Sequence, residues 1–134
     1  MTGTTTQPLC FIDAQGGTLA RLCAAVAHAL GHADAIALVW GEEKPLSEDV
    51  SAVLEEVGMT APAAVPFDHV LTSKHSCVWL GDSSGLAVTP NAQVWAFSLP
   101  SPDEPLFDRL VTARLVRDRV AQQIRAVSRG SSIV

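Results

Sequence analysis

The chain has 134 residues, 48% apolar and 17% charged, with a net charge of −5. That size and balance fit one soluble domain with a true core and exclude a disordered segment. The acidity excludes a general nucleic-acid binder, and no apolar run is long enough to cross a bilayer.

Residues 1–8, MTGTTTQP, carry no basic and apolar leader pattern and are expected to form a flexible tail, which makes the cytoplasm the default compartment. Leu9–Ile12 is a short apolar run of the kind that forms a buried parallel strand. From Thr18 to Leu30, the residues Leu19, Leu22, Val26 and Leu30 recur at helical spacing, and Gly31 supplies a stop. Ala35–Trp40 reads as a second buried strand. Ser47 opens a helix to Val57 with Val50, Val53, Leu54 and Val57 on one face. Ala61–Pro66 is proline-rich and reads as irregular. A short helix around Phe67–Leu71 precedes a third strand at Ser76–Leu80, and Gly81–Ala92 reads as loop. Val94–Phe97 is the fourth strand. Ser98–Pro105 holds three prolines and is loop. Leu106 to about Ser128 is a helix with an apolar stripe of Ala113, Val116, Val120, Ile124 and Val127, and residues 130–134 form a C-terminal tail. Residues 9–129 make a single domain.

Strands alternating with helices imply right-handed βαβ units and a parallel sheet covered on both faces, a three-layer α/β sandwich. In such sheets the ligand crevice lies beyond the carboxyl ends of the strands, where strand order reverses. The loop after the first strand, Asp13 to Thr18, therefore belongs at the mouth of the site.

The order of these pieces resembles the low-molecular-weight protein tyrosine phosphatase superfamily, and in the second half its arsenate-reductase branch. FIDAQGGTLARLCAAVAHAL stands where the family has a strand entering CxxNSxRSQMAEAL. EDVSAVLEEVGM is similar to its helix ending in EVGI, and PFDHVLTSKHSCVWLG to its PLTDELVRDADVVVTMG. FSLPSPDEP resembles the WDLPDPAG turn, and LFDRLVTARLVRDRVAQQI the last helix. The likeness runs from about Leu9 to Val127 and implies a four-stranded parallel sheet with helices on both faces.

The same comparison implies that the family chemistry is missing. Asp13 stands where the family has its nucleophilic cysteine, whose pKa the helix N-terminus lowers. Leu19 stands where an arginine grips the oxyanion with a planar fork, and Ala20 where a serine follows it. Ser101 before Pro102 stands where an aspartate acts as general acid. Shifting the alignment to Cys10 or Cys23 brings Gly16 or Ala29, not an arginine, to the clamp position. Arg21 lies two residues past it, turned about 200° around the helix. The expectation is thus a catalytically inactive member acting by binding, assembly or regulation, without a cofactor or metal.

The degenerate loop spans Asp13, Ala14, Gln15, Gly16, Gly17, Thr18, Leu19 and Ala20. Its glycines tolerate the left-handed backbone of an anion-binding nest. Three readings are open: Asp13 accepts the loop N–H groups itself and plugs the nest; the loop has become a small-ligand or oxyanion site, or a remodelled enzyme site; or its geometry is unrelated. An enzyme using Asp13 as acid, base or phosphoryl acceptor would need a divalent cation and a cationic clamp, and neither is supplied nearby.

Other groups carry weaker signals. Cys10, Cys23 and Cys77 lie in apolar runs without a CxxC pair and read as buried, inert thiols. His28 and His32 have the i, i+4 spacing of helical metal ligands, but Gly31 interrupts them and they read as solvated helix-end histidines. His69 and His75 have no serine and aspartate to complete a triad. Trp40 and Trp79 end strands at the site end of the sheet and read as packing groups or as groups re-lining the crevice. Arg114, Arg117 and Arg125 cluster on the outer side of the last helix. With the tryptophans they make a candidate interface for a protein partner or a second copy, a homodimer being the simplest form.

Overall fold

The computed structural model describes residues 7–81, 86–87, 89 and 91–133. Most of the expected N-terminal tail, part of the Gly81–Ala92 loop and Val134 lie outside these residues.

The described residues form nine elements: β1 (Leu9–Asp13), α1 (Thr18–Ala29), β2 (Ile36–Val39), α2 (Glu48–Glu55), β3 (Val65–Pro66), α3 (His69–Ser73), β4 (Ser76–Leu80), β5 (Gln93–Trp95) and α4 (Leu106–Ile133). All strand pairs are parallel, in the order β3-β2-β1-β4-β5. Order therefore reverses between β1 and β4, at the centre of the sheet. All five residues of β1 are buried, as its place between two neighbours requires.

Strand alternation divides the core. Leu9, Phe11, Ala37, Val78, Leu80 and Trp95 face α1, α2 and α4, where Leu22, Val26, Val50, Leu54, Val120 and Ile124 cover them. Cys10, Ile12, Leu38 and Trp79 face the other way and pack under Phe67 and Leu71 at the start of α3. Helices thus cover both faces, as the α/β reading requires.

Several boundaries differ from the sequence reading. The sheet has a fifth strand, β3, inside the segment read as irregular. It is a two-residue edge strand ending in proline, which an edge tolerates because its outer side needs no donor. The strand after Gly81–Ala92 is Gln93–Trp95, not Val94–Phe97, because β5 pairs with β4 only from Gln93 to Trp95. Helix α2 ends at Glu55, and Val57 beyond it is exposed. Helix α4 continues to Ile133, past the expected stop and through the segment read as tail.

Candidate functional site

Asp13 ends β1 and is only 2% exposed. The next four residues turn the chain into α1, with Gly16 and Gly17 at φ 98° and 95°, backbone that residues bearing a Cβ rarely adopt. Glycine is needed here twice over, since a Cβ on Gly16 would lie 2.9 Å from the Lys44 side chain. Two main-chain bonds brace the turn: Lys44 donates its N–H to Gly16 O at 2.9 Å, and Trp40 donates to Asp13 O at 2.9 Å.

Helix α1 begins without a capping side chain of its own, because its N-cap is Gly17. The Asp13 carboxylate takes that role from the strand. Its Oδ2 accepts the N–H of Ala20 at 2.9 Å, and its Oδ1 accepts those of Gln15 at 2.9 Å and Gly17 at 2.8 Å. Three donors converge on the two oxygens, an arrangement that only the ionised carboxylate satisfies fully. The positive end of the α1 dipole favours the same charge. The converging N–H groups of the loop are thus used by the chain's own Asp13 side chain.

Above Asp13 a crevice of about 540 Å³ opens at the switch point. Asp13, Gln15 and Leu19 form its floor, Leu80 and Gly81 the exit of β4, and Ala96 to Pro102 the far wall. Leu19 and Ser101 share one cavity with Asp13. No lysine or arginine lines it among the described residues. Arg21 turns away and donates Nε to Pro62 O at 2.8 Å. Arg109 braces the wall by donating Nη1 to Glu104 O at 2.8 Å and to Pro102 O at 3.4 Å, while its Nε pairs with Asp49 at 3.1 Å. The sequence reading missed Leu80, Phe97, Leu99 and Pro100 as lining residues. Their signal was positional: Leu80 ends β4 and the others follow β5, at the carboxyl end of the sheet.

The tryptophans do not line this crevice. Trp79 is 5% exposed on the opposite face of the sheet. Trp40, 41% exposed, leans on Phe67 at 4.8 Å and on Trp79 at 6.4 Å. Strand alternation decides this, since Asp13 pairs with Leu80 and Ile12 with Trp79.

Arg114 and Arg117, of the candidate interface, both bond within the chain. Arg114 holds Glu56 with Nε at 2.9 Å and Nη2 at 3.2 Å. Arg117 reaches the same carboxylate at 2.6 Å and Val53 O at 2.7 Å. Both guanidinium groups are thus used within the chain to join α4 to α2. Hydrogen bonds from Arg114, then Arg117, hold the Glu56 carboxyl below its ordinary pKa. Arg125 is exposed.

His28 closes the end of α1 through Nε2 to Ala35 O at 2.7 Å. His69 sets its ring edge-on to Phe67 at 5.0 Å, and His75 bonds Leu71 O through Nδ1. Cys10 and Cys23 are buried, whereas Cys77 is only half-buried, which departs from the expectation of three buried thiols.

A parallel three-layer sheet with a loop-and-helix crevice at its switch point is the architecture of low-molecular-weight phosphatases and arsenate reductases. An arsenate reductase in its phosphate-binding state superposes with TM-score 0.63 and 19% identity, over 89% of this chain and 94% of that one. A protein tyrosine phosphatase superposes with TM-score 0.61 and 12% identity, over 90% and 95%. The YwlE arginine phosphatase from Geobacillus stearothermophilus gives TM-score 0.61 and 12% identity, over 90% and 94%. At these identities the likeness establishes the fold alone. No protein-family model matches the sequence, nor does any curated protein.

Proposed function

We propose that this protein is a non-catalytic version of the phosphatase and arsenate-reductase fold, a pseudoenzyme that works by binding, assembly or regulation. The observation that carries the proposal is the set of three N–H bonds to Asp13. A loop that would otherwise aim these donors at an oxyanion spends them on its own carboxylate. A second anion entering above Asp13 would meet a negative charge and fewer free donors. Leu19 offers no fork to hold it, and Ser101 offers no readily transferred proton at neutral pH.

The crevice itself remains open. Its acidic floor suits a neutral or cationic group better than a phosphate. Assembly is supported by another surface. On α4, Phe107, Val111 and Leu115 follow at four-residue spacing and are exposed, Phe107 by 73% and Leu115 by 50%. Adjacent turns of a helix stack such residues into one apolar stripe, and a protein partner or a second copy is its proposed cover. No described helix is long and apolar enough to cross a membrane. The free thiols are consistent with the cytoplasm as the proposed compartment.

Hydrolysis of an aryl phosphate and thiol-dependent reduction of arsenate test the proposal directly. Wild type and Asp13→Ala should both match a buffer blank. Turnover well above the blank that Asp13→Ala abolishes would overturn it and assign Asp13 a catalytic role.

A further inference from the structure

Cys10 and Cys77 are direct partners in the register between β1 and β4. Both side chains lie on the α3 face of the sheet, at the end of the strands away from the crevice above Asp13. Adjacent strands are about 4.8 Å apart, inside the Cα separation of about 4.4–6.8 Å that a disulfide spans. The two thiols are not equivalent. Cys10 is fully buried, whereas Cys77 forms part of the wall of a second cavity of about 560 Å³, with His69, Thr72, His75 and Asn91 around it. The hydrogen bond from Cys10 holds the Cys77 thiol below its ordinary pKa, against the effect of burial. The same contact, then burial, drives Cys10 far up. Cys23 is raised by burial and by the charge of Asp13, and lies on the other face.

We propose that Cys77 is a peroxide-reactive thiol and that Cys10 is its resolving partner. The substrate class is a small hydroperoxide. The Cys77 thiol donates to Thr72 O at 3.4 Å and to His75 O at 3.7 Å, and it borders the cavity through which a reagent would arrive. The Cys77 thiolate attacks the peroxide, forming an S–O bond as the O–O bond breaks. The departing oxygen takes a proton from solvent and leaves as water or an alcohol. Cys10 then attacks the sulfenic sulfur of Cys77, forming the S–S bond. Its proton goes to the departing hydroxyl, which leaves as water. Two thiols lose two electrons and one peroxide gains them. In-register parallel strands hold their Cβ atoms farther apart than an ideal bridge prefers, so the disulfide is strained and readily reduced by a dithiol.

The test treats the native full chain with hydrogen peroxide and reads intact mass and non-reduced peptides. The expected product lacks two hydrogens, carries a Cys10–Cys77 linkage and returns to starting mass with dithiothreitol. Cys77→Ser should abolish the reaction. Cys10→Ser should stop at a sulfenic acid on Cys77, captured by dimedone. Since Cys10→Ser disturbs a buried position, iodoacetamide labelling of the unaltered native chain gives an independent reading. Cys77 should label on the order of ten-fold or more faster than Cys10 and Cys23, as a partly exposed thiolate does. Labelling of all three thiols only on unfolding, or oxidation of Cys77 without linkage to Cys10, would overturn the proposal.

Discussion

Replacing Asp13 with asparagine keeps the shape of the side chain and removes its charge. The amide can leave its oxygen on Gln15 and Gly17, but its nitrogen then faces the N–H of Ala20, donor against donor. Hydrogen bonds to a charged acceptor contribute about 1.5–3 kcal/mol each and neutral ones about 0.5–1.5, so the three bonds together weaken by roughly 3 kcal/mol. Relief from holding a charge in a nearly dry site returns on the order of 1 kcal/mol. A net loss of about 2 kcal/mol is expected, and Asp13→Ala should lose more, because it also strips α1 of its only N-terminal side-chain cap. Urea denaturation followed by circular dichroism measures both. If Asp13→Asn comes within roughly 0.5 kcal/mol of wild type, the range of an ordinary surface change, the carboxylate does not hold the loop and the reasoning fails.

Other expectations follow from the same structure. The Glu56 pKa is lowered on folding, so its contribution to stability exists above the unfolded value and is lost as pH falls through the folded one. Acid titration of Glu56→Gln should lose this component, and an unchanged acid transition would refute it. Gly16→Ala should cost more than Gly31→Ala: both have positive φ, but an added Cβ meets the Lys44 side chain at 2.9 Å at Gly16 and open space at Gly31. Backbone strain alone is about 1–2 kcal/mol, and equal losses would show that the loop has room to shift. Asp13→Cys with Leu19→Arg and Ser101→Asp should gain measurable aryl-phosphate turnover, since the three positions line one crevice. A folded triple variant that stays at the blank would place the missing chemistry elsewhere in the site.

Much of this architecture is legible from residues close together in sequence. The SCVWL run of β4, the Ser47 cap of α2 and the Ala113–Ile124 stripe of α4 each carry a local period or stop signal. The glycine pair after β1, followed at once by a helix, marks the loop, and a lone aspartate beside it is an evident internal acceptor. Apart from the ends of α2 and α4, the differences concern partners far apart in the chain. Edge strand β3 has only two residues, and its pairing with β2 is invisible until the sheet assembles. Arg114 and Arg117 resemble a free basic face because Glu56 lies on another helix. Trp79 looks like a rim residue until the register of β4 against β1 assigns it to the far face. Cys10 and Cys77 read as separate thiols because only strand order makes them neighbours.

The central claim is that Asp13 fills the anion nest. Amide NMR of the wild type during a titration with inorganic phosphate, and again with sulfate, tests it most directly. The Gln15, Gly17 and Ala20 resonances should stay fixed, because their protons already point at a carboxylate. Saturable shifts of those three amides, with Asp13 intact, would contradict it.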